Sequence, residues 1–288
     1  MSARPFGERA FIGLQYLLPQ RALSWLVGRI AESRIGFVRG ALIRAFLSRY
    51  PVDLAEAAEP DARRYLCFND FFTRRLRPGA RTFDALPQAA LCPADGIVSQ
   101  AGRIAGDTIL QAKGLDYAVS ALLGGDPALA AEFAGGEFAT VYLAPHNYHR
   151  VHMPLAGTLR SARHVAGDLF SVNAATAASV PGLFARNERI ACVFDTAQGP
   201  MAVVLVGALF VGSMSLAWCG RVRGARGSRV RELPVHDPLI ALDRGAELGW
   251  FNMGSTVVVL FAPTGPTLEA GIREGAAVRV GQRLALPR

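Results

Sequence analysis

The chain has 288 residues, 51% of them hydrophobic and 19% charged, which sets aside a disordered protein and leaves room for one large domain with an appendage. Its four cysteines, Cys67, Cys92, Cys192 and Cys219, are dispersed without a Cys-x-x-Cys pair, so neither a zinc site nor a redox pair is indicated and a reducing, intracellular compartment is the simpler expectation. The net charge of +8 is unevenly placed: residues 1–50 hold eight arginines against two glutamates, leaving only +2 for the rest.

That asymmetry points to nucleic acid or an anionic membrane as a partner, and the apolar residues between the arginines favour the membrane. Leu23, Leu26, Val27 and Ile30 fall at i, i+3, i+4 and i+7, and Ile35, Val38, Leu42 and Phe46 continue a stripe beyond Glu32, which predicts an amphipathic helix pair. No stretch reaches the roughly 18 uninterrupted apolar residues of a spanning helix, and no signal-peptide cleavage site is evident. The pair is expected to lie on a bilayer with Trp25, Phe37 and Phe46 in the interface. Packing of the same face on the rest of the protein is the alternative.

Tyr50-Pro51 and the polar stretch 53–64 read as a hinge, which divides the chain into a membrane-associating region, 1–60, and a β-rich domain, 61–288. "ADG" (94–96) reads as a tight turn. "DYAVSALLGG" (116–125) and "PALAAEFAGG" (127–136) read as a short helix and its exit. "GIVSQAGRI", "FATVYLA", "IACVFDT", "STVVVLF" and "AVRVGQRLAL" read as strands, and 201–211 as a fully buried one. The tail has a V-x-x-G-x-x-L rhythm without a lysine to carry a prosthetic group, so it reads as β-turn-β. The expected class is α+β: amphipathic helices followed by a sandwich- or barrel-like β domain.

Gly-Ser occurs at 212–213, 227–228 and 254–255, and most such pairs are turns. The first reads as a bulge or a point of close packing. In the third, glycine permits backbone conformations in which the serine hydroxyl approaches the carbonyl behind it, and that attack requires a base. His146, His149 and His152 crowd into "PHNYHRVHMP", while His164 and His236 stand alone. The triplet lacks the glutamate of H-E-x-x-H and alternates faces on a strand, so no metal is expected. A histidine turned toward Ser255 and oriented by a carboxylate fits better, with Asp95 the best placed by context.

"FFTRRLRPGAR" (71–81), "PADGIVSQ" (93–100), "QAKGLDY" (111–117), "YHRVHMP" (148–154), "VGALFVGSM" (206–214) and "GAELGWFNMGST" (245–256) follow one another as in the phosphatidylserine decarboxylases, which the chain resembles from about residue 60 onward. Met253 stands where that family commonly has leucine, a near volume-conserving change. The resemblance implies self-cleavage between Gly254 and Ser255 into a β chain, 1–254, and an α chain, 255–288, with Ser255 becoming a pyruvoyl cofactor. It also implies a Schiff base between that group and phosphatidylserine, which loses CO2 to give phosphatidylethanolamine. His152 and Asp95 match the family's base and orienting carboxylate, and His149 matches its decarboxylation residue. The alternative sink, pyridoxal phosphate, needs a lysine, and Lys113 is the single one in the chain.

On this resemblance the expected partners are phosphatidylserine, an anionic membrane and the chain's own two fragments, with a higher homo-oligomer left open and no nucleic acid. The expected place is the cytoplasmic side of the cell membrane, held peripherally. Two rival readings stand: a serine hydrolase using Ser255, His152 and Asp95, which lacks G-x-S-x-G, and a non-catalytic lipid-binding protein, which leaves "YHRVHMP" beside "MGST" without a reason.

Overall fold

A run of β-branched and apolar residues with both faces buried sets the architecture. In the strand Ser255–Phe261 every residue is buried, with Val257, Val259 and Phe261 in one core and Val258 and Leu260 in another. Such a strand needs neighbours at both edges and cover on both faces. The computed structural model, which describes residues 6–210, 213–222, 229–234 and 239–288, supplies both. Ser255–Phe261 pairs antiparallel along its length with Gly199–Gly207 on one side and Glu137–Leu143 on the other.

Among the described residues these three strands form the middle of a nine-stranded sheet. Beyond Gly199–Gly207 come Arg189–Thr196, Gly157–Val165 and Val230–Glu232, with Ala241–Leu242 also on Gly157–Val165; beyond Glu137–Leu143 come Gly96–Arg103 and Ala277–Val278. Among the described residues the sheet does not close on itself, so the sandwich form of the expectation holds and the barrel form does not. A four-stranded sheet, Gly220–Val222, Met214–Leu216, Glu247–Phe251 and Arg150–His152 in spatial order, shares the core of Val257 and Val259 through Val151, Met214, Leu248 and Phe251. Side-chain alternation puts Ser255 on that same face. Gly96 lets the sheet close beside Asp95, because a Cβ there would lie 2.2 Å from the Tyr142 carbonyl oxygen.

Two local expectations change. The buried strand expected over 201–211 ends at Gly207. Asp116–Ala118, expected to be helical, belongs to the strand Leu115–Ala118 paired with Thr108–Ala112, and within 116–125 helix is confined to Val119–Leu122. The cause is the two-residue turn Lys113-Gly114, whose positive φ values of 49° and 80° match the twist of a hairpin.

The N-terminal helices α1 (Phe6–Leu17), α2 (Gln20–Ala31) and α3 (Gly36–Arg49) dock on the β domain. The contact of α1 and α2 is mixed, with Ile12 packed on a core cluster and Tyr16 edge-on to Phe170 at 4.8 Å beside three polar bonds. Gln15 Oε1 accepts from the Ser171 amide at 2.8 Å, Gln20 Oε1 from the Leu169 amide at 2.7 Å, and Ser24 Oγ from the Phe210 amide at 3.1 Å. The contact of α3 is apolar: Phe46 packs on Phe68, Phe71 and Phe72, with ring centroids 5.4–5.9 Å apart. Phe46 therefore faces protein instead of the bilayer interface expected for it, whereas Trp25 and Phe37 remain 66% and 81% exposed. No helix among the described residues is long and apolar enough to cross a membrane.

Candidate active site

The short helix α4 (Phe68–Phe72) begins the site. Its Asn69 donates to Asn252 Oδ1 at 3.1 Å, and Asn252 Nδ2 donates in turn to the hydroxyls of Ser213 and Ser215 at 2.9 and 3.1 Å. The Asn252 amide also bonds the Ser213 carbonyl. This network pins the chain immediately before a turn in which Met253 has φ 106° and Gly254 φ 40°. Positive φ is strained for methionine and tolerated by glycine, so the turn persists because its surroundings enforce it. Ser213, expected at a bulge or close contact, serves here as a hydrogen-bond partner; Gly212, the pair Gly227-Ser228 and His236 lie outside the described residues.

Ser255 follows at the head of the central strand, opposite Leu143 and Gly207. It is 1% exposed, and its Oγ has no hydrogen-bond partner. A buried hydroxyl left unmatched costs about 1–3 kcal/mol, and in a native site such a group calls for a purpose.

The strand Arg150–His152 carries the histidines. His152 Nδ1 donates to the Gly245 carbonyl at 2.8 Å, which leaves Nε2 to accept from the Tyr148 hydroxyl at 3.0 Å. Burial lowers the proton affinity of His152, against its bond to Gly245, so the ring is neutral at neutral pH. His149 is fully buried, edge-on to Phe72 at 4.1 Å, with both ring nitrogens unpartnered. Burial, and then the nearby charge of Arg74, hold it well below the usual histidine range.

Asp95 and His152 are not hydrogen-bonded to each other, and neither is bonded to Ser255. Asp95 is bound by Arg81 and by the Val280 amide at 2.8 Å, and Arg81 also pairs with Glu56 at 2.8 Å. In this geometry the Gly245 carbonyl, not Asp95, accepts from His152 Nδ1, and Glu247 and then Asp95 raise the proton affinity of the ring from a distance. Strand register sets His152 against Glu247, whereas the His149 carbonyl accepts from the Phe251 amide, closer along that strand to the Asn252–Gly254 turn. Among the described residues no three His, Cys, Asp or Glu side chains gather into a metal-sized cluster. Lys113 is exposed at its hairpin tip.

Sequence reasoning missed Tyr148, Gly245, Arg81 and the Asn69–Asn252 pair. Tyr148 had a local signal, as the first residue of "YHRVHMP". Arg81, Gly245 and Asn252 also lie within the quoted motifs, but their pairing with residues distant in the chain, and the use of a backbone carbonyl, have no residue-type signature.

His149, fully buried, and His152, half-buried, give the fold a pH signature. Their folded-state affinities lie below the ordinary histidine value of 6.5, so the unfolded chain takes up protons first as pH falls. Their neutral forms stabilise the fold fully above about pH 6.5, and that contribution is lost below it, with a slope of at most about 1.4 kcal/mol per pH unit for each ring. Urea unfolding between pH 7.5 and 5 should show this decline; stability unchanged or rising over that range would contradict the burial of neutral rings.

A family model described as phosphatidylserine decarboxylase matches residues 68–286, and a second, described as PSD, matches residues 10–51. The chain is 51% identical to the phosphatidylserine decarboxylase proenzyme of Bordetella pertussis, with 98% of this chain and 96% of that protein covered. It is 52% identical to the protein of the same name from Pseudomonas putida, at 97% and 98% coverage. With that from Methylibium petroleiphilum the identity is 53%, at 96% and 98% coverage.

Proposed function

The chain belongs to the phosphatidylserine decarboxylase family, and on that premise we propose that it converts phosphatidylserine to phosphatidylethanolamine and carbon dioxide with a pyruvoyl group made from its own Ser255. The observation that carries this reading is the Gly254–Ser255 junction: a buried, partnerless hydroxyl directly after two residues of positive φ. The word proenzyme in the relatives' names accords with a chain that is cut after synthesis.

In the first stage Ser255 Oγ attacks the Gly254 carbonyl carbon while its proton passes to a base. The C–N bond breaks with a proton delivered to nitrogen, and an ester joins residues 1–254 to Ser255. Loss of the Ser255 Cα proton expels the Gly254 carboxylate, and water then releases the nitrogen as ammonia to leave the pyruvoyl group at the head of 255–288. Because attacker and target are neighbours in one strained turn, about 7–11 kcal/mol of bimolecular cost can be avoided. The pyruvoyl carbonyl supplies the electron sink that amino-acid decarboxylation requires.

His152 is the proposed base of self-cleavage. Its bond to Gly245 fixes the tautomer with a basic Nε2. The Tyr148 hydroxyl holds that nitrogen in the uncut chain, so the proton runs through Tyr148 or follows its displacement. Glu247, and more weakly Asp95, add to the basicity of His152 through space, against its burial. His149, with free ring nitrogens, is proposed to serve decarboxylation by positioning the carboxylate or returning a proton to the α-carbon. Register favours a second assignment, with His149 as the cleavage base. Cutting at Gly254 would leave Ser255–Phe261 hydrogen-bonded on both edges, so the two chains should stay together.

The helices support peripheral attachment to an anionic membrane, proposed here to be the cytoplasmic face of the cell membrane. Beside their buried apolar contacts they carry an outward apolar set: Gln15 and Ser24 are buried against protein, while Leu14, Leu17, Trp25, Ile35 and Phe37 are 53–83% exposed among exposed arginines. Apolar side chains facing outward on a basic surface suit a lipid interface. Removing residues 1–59 would uncover the phenylalanines that Phe46 covers, so point substitution is the sharper test. Trp25→Ser combined with Phe37→Ser should weaken binding to phosphatidylserine vesicles about tenfold or more while detergent-dispersed substrate is still turned over. Unchanged vesicle binding would move the contact elsewhere.

A further inference from the structure

Arg74 follows α4 and is 6% exposed. Its Nη2 donates to the carbonyls of His146 and Asn147, at 2.9 and 3.4 Å, and its Nη1 has no partner. Among the described residues no carboxylate comes within 4.0 Å of it. Asp95 and Glu56, whose charges reach it from farther away, are both bound by Arg81. Arginine does not escape such a position by losing its proton, so a buried guanidinium without a contacting counter-ion is an anion site in waiting. Its hydrogen bonds tie it to a loop that neighbours the Gly254–Ser255 junction. The carbonyls it holds belong to the loop that leaves Glu137–Leu143 directly after Leu143, the cross-strand partner of Ser255. Its charge is felt by His149, whose ring nitrogens are also free.

We propose that Arg74 is the anion receptor of this site and that the anion is the phosphodiester of the lipid headgroup, not the carboxylate that departs. The proposal rests on the decarboxylase reading above. A carboxylate loses its charge on the way to carbon dioxide, so a cation paired with it would stabilise the ground state more than the transition state. The phosphodiester keeps its charge throughout and can be held equally in both. Guanidinium N–H groups suit phosphate oxygens. Uniform binding of that kind appears in KM and leaves kcat alone.

The test uses the mature enzyme, its Arg74→Gln and Arg74→Lys variants, and water-soluble short-chain phosphatidylserine. Losing a charge-assisted hydrogen bond should raise KM about ten- to a hundredfold in Arg74→Gln, with kcat within about threefold and Arg74→Lys between. Short-chain phosphatidylethanolamine, which keeps the phosphodiester and lacks the carboxylate, should compete with substrate in the unaltered enzyme and less well in Arg74→Gln. Competition by free L-serine, which has the carboxylate alone, should be unaffected by the substitution. An unchanged KM, or a fall in kcat at constant KM, would overturn the proposal. Weakened serine competition with phosphatidylethanolamine competition intact would assign Arg74 to the carboxylate and overturn it as well. Should Arg74→Gln fail to cleave itself, Arg74→Lys and the unaltered enzyme decide, since an unaltered enzyme indifferent to short-chain phosphatidylethanolamine has no such receptor. Failure of the decarboxylase reading would show separately, as no carbon dioxide released by the unaltered chain.

Discussion

Ser255→Ala is expected to persist as one uncut 288-residue chain with decarboxylase activity lower by on the order of a thousandfold or more. The substitution removes a single oxygen that makes no hydrogen bond and is buried. It should therefore leave the fold at least as stable, because relieving an unsatisfied buried hydroxyl offsets the small loss of packing. Unchanged or raised thermal stability together with lost activity separates a chemical role from a structural one. Decarboxylation by the uncut alanine variant would remove Ser255 from the cofactor and the mechanism with it.

The second large effect concerns the two histidines. His152→Gln should slow self-cleavage about 10²- to 10⁴-fold, the usual contribution of a general base, whereas His149→Gln should be cut at close to the normal rate and then decarboxylate poorly. Electrophoresis of freshly expressed protein reads the first stage, and carbon dioxide release by the processed fraction reads the second. The opposite pattern, with His149→Gln uncut and His152→Gln processed, would establish the assignment that strand register favours. Asp95→Asn should also impair cleavage, but it breaks the contact with Arg81 in a place where both side chains are 8% exposed. Removing one member of a buried pair costs about 3–5 kcal/mol, so its kinetics need the stability measured beside them.

The histidine triplet, the Gly-Ser junction and the order of six motifs were legible in the chain because each concentrates distinctive residue types over a few positions. Burial of 255–261 was legible for the same reason: a run of β-branched residues needs no distant information to announce a core strand. Periodicity found the apolar stripes of α2 and α3 but not which way they face. Phe46 turns inward because Phe68, Phe71 and Phe72 wait on α4, while Trp25 faces outward because Gln15, Gln20 and Ser24 find backbone amides to satisfy. The partners of Asp95 and His152 were hidden for a related reason. The plain chemistry of a carboxylate beside a histidine suggested one pair, and the fold gave the carboxylate to Arg81 and the imidazole to Gly245 and Tyr148.

Self-cleavage is the claim on which the rest depends, and intact-mass measurement of the purified, unaltered protein tests it most directly. Two chains are expected, residues 1–254 ending in a free carboxylate and residues 255–288 beginning with a pyruvoyl group in place of serine. A single active polypeptide carrying an unmodified Ser255 would contradict it.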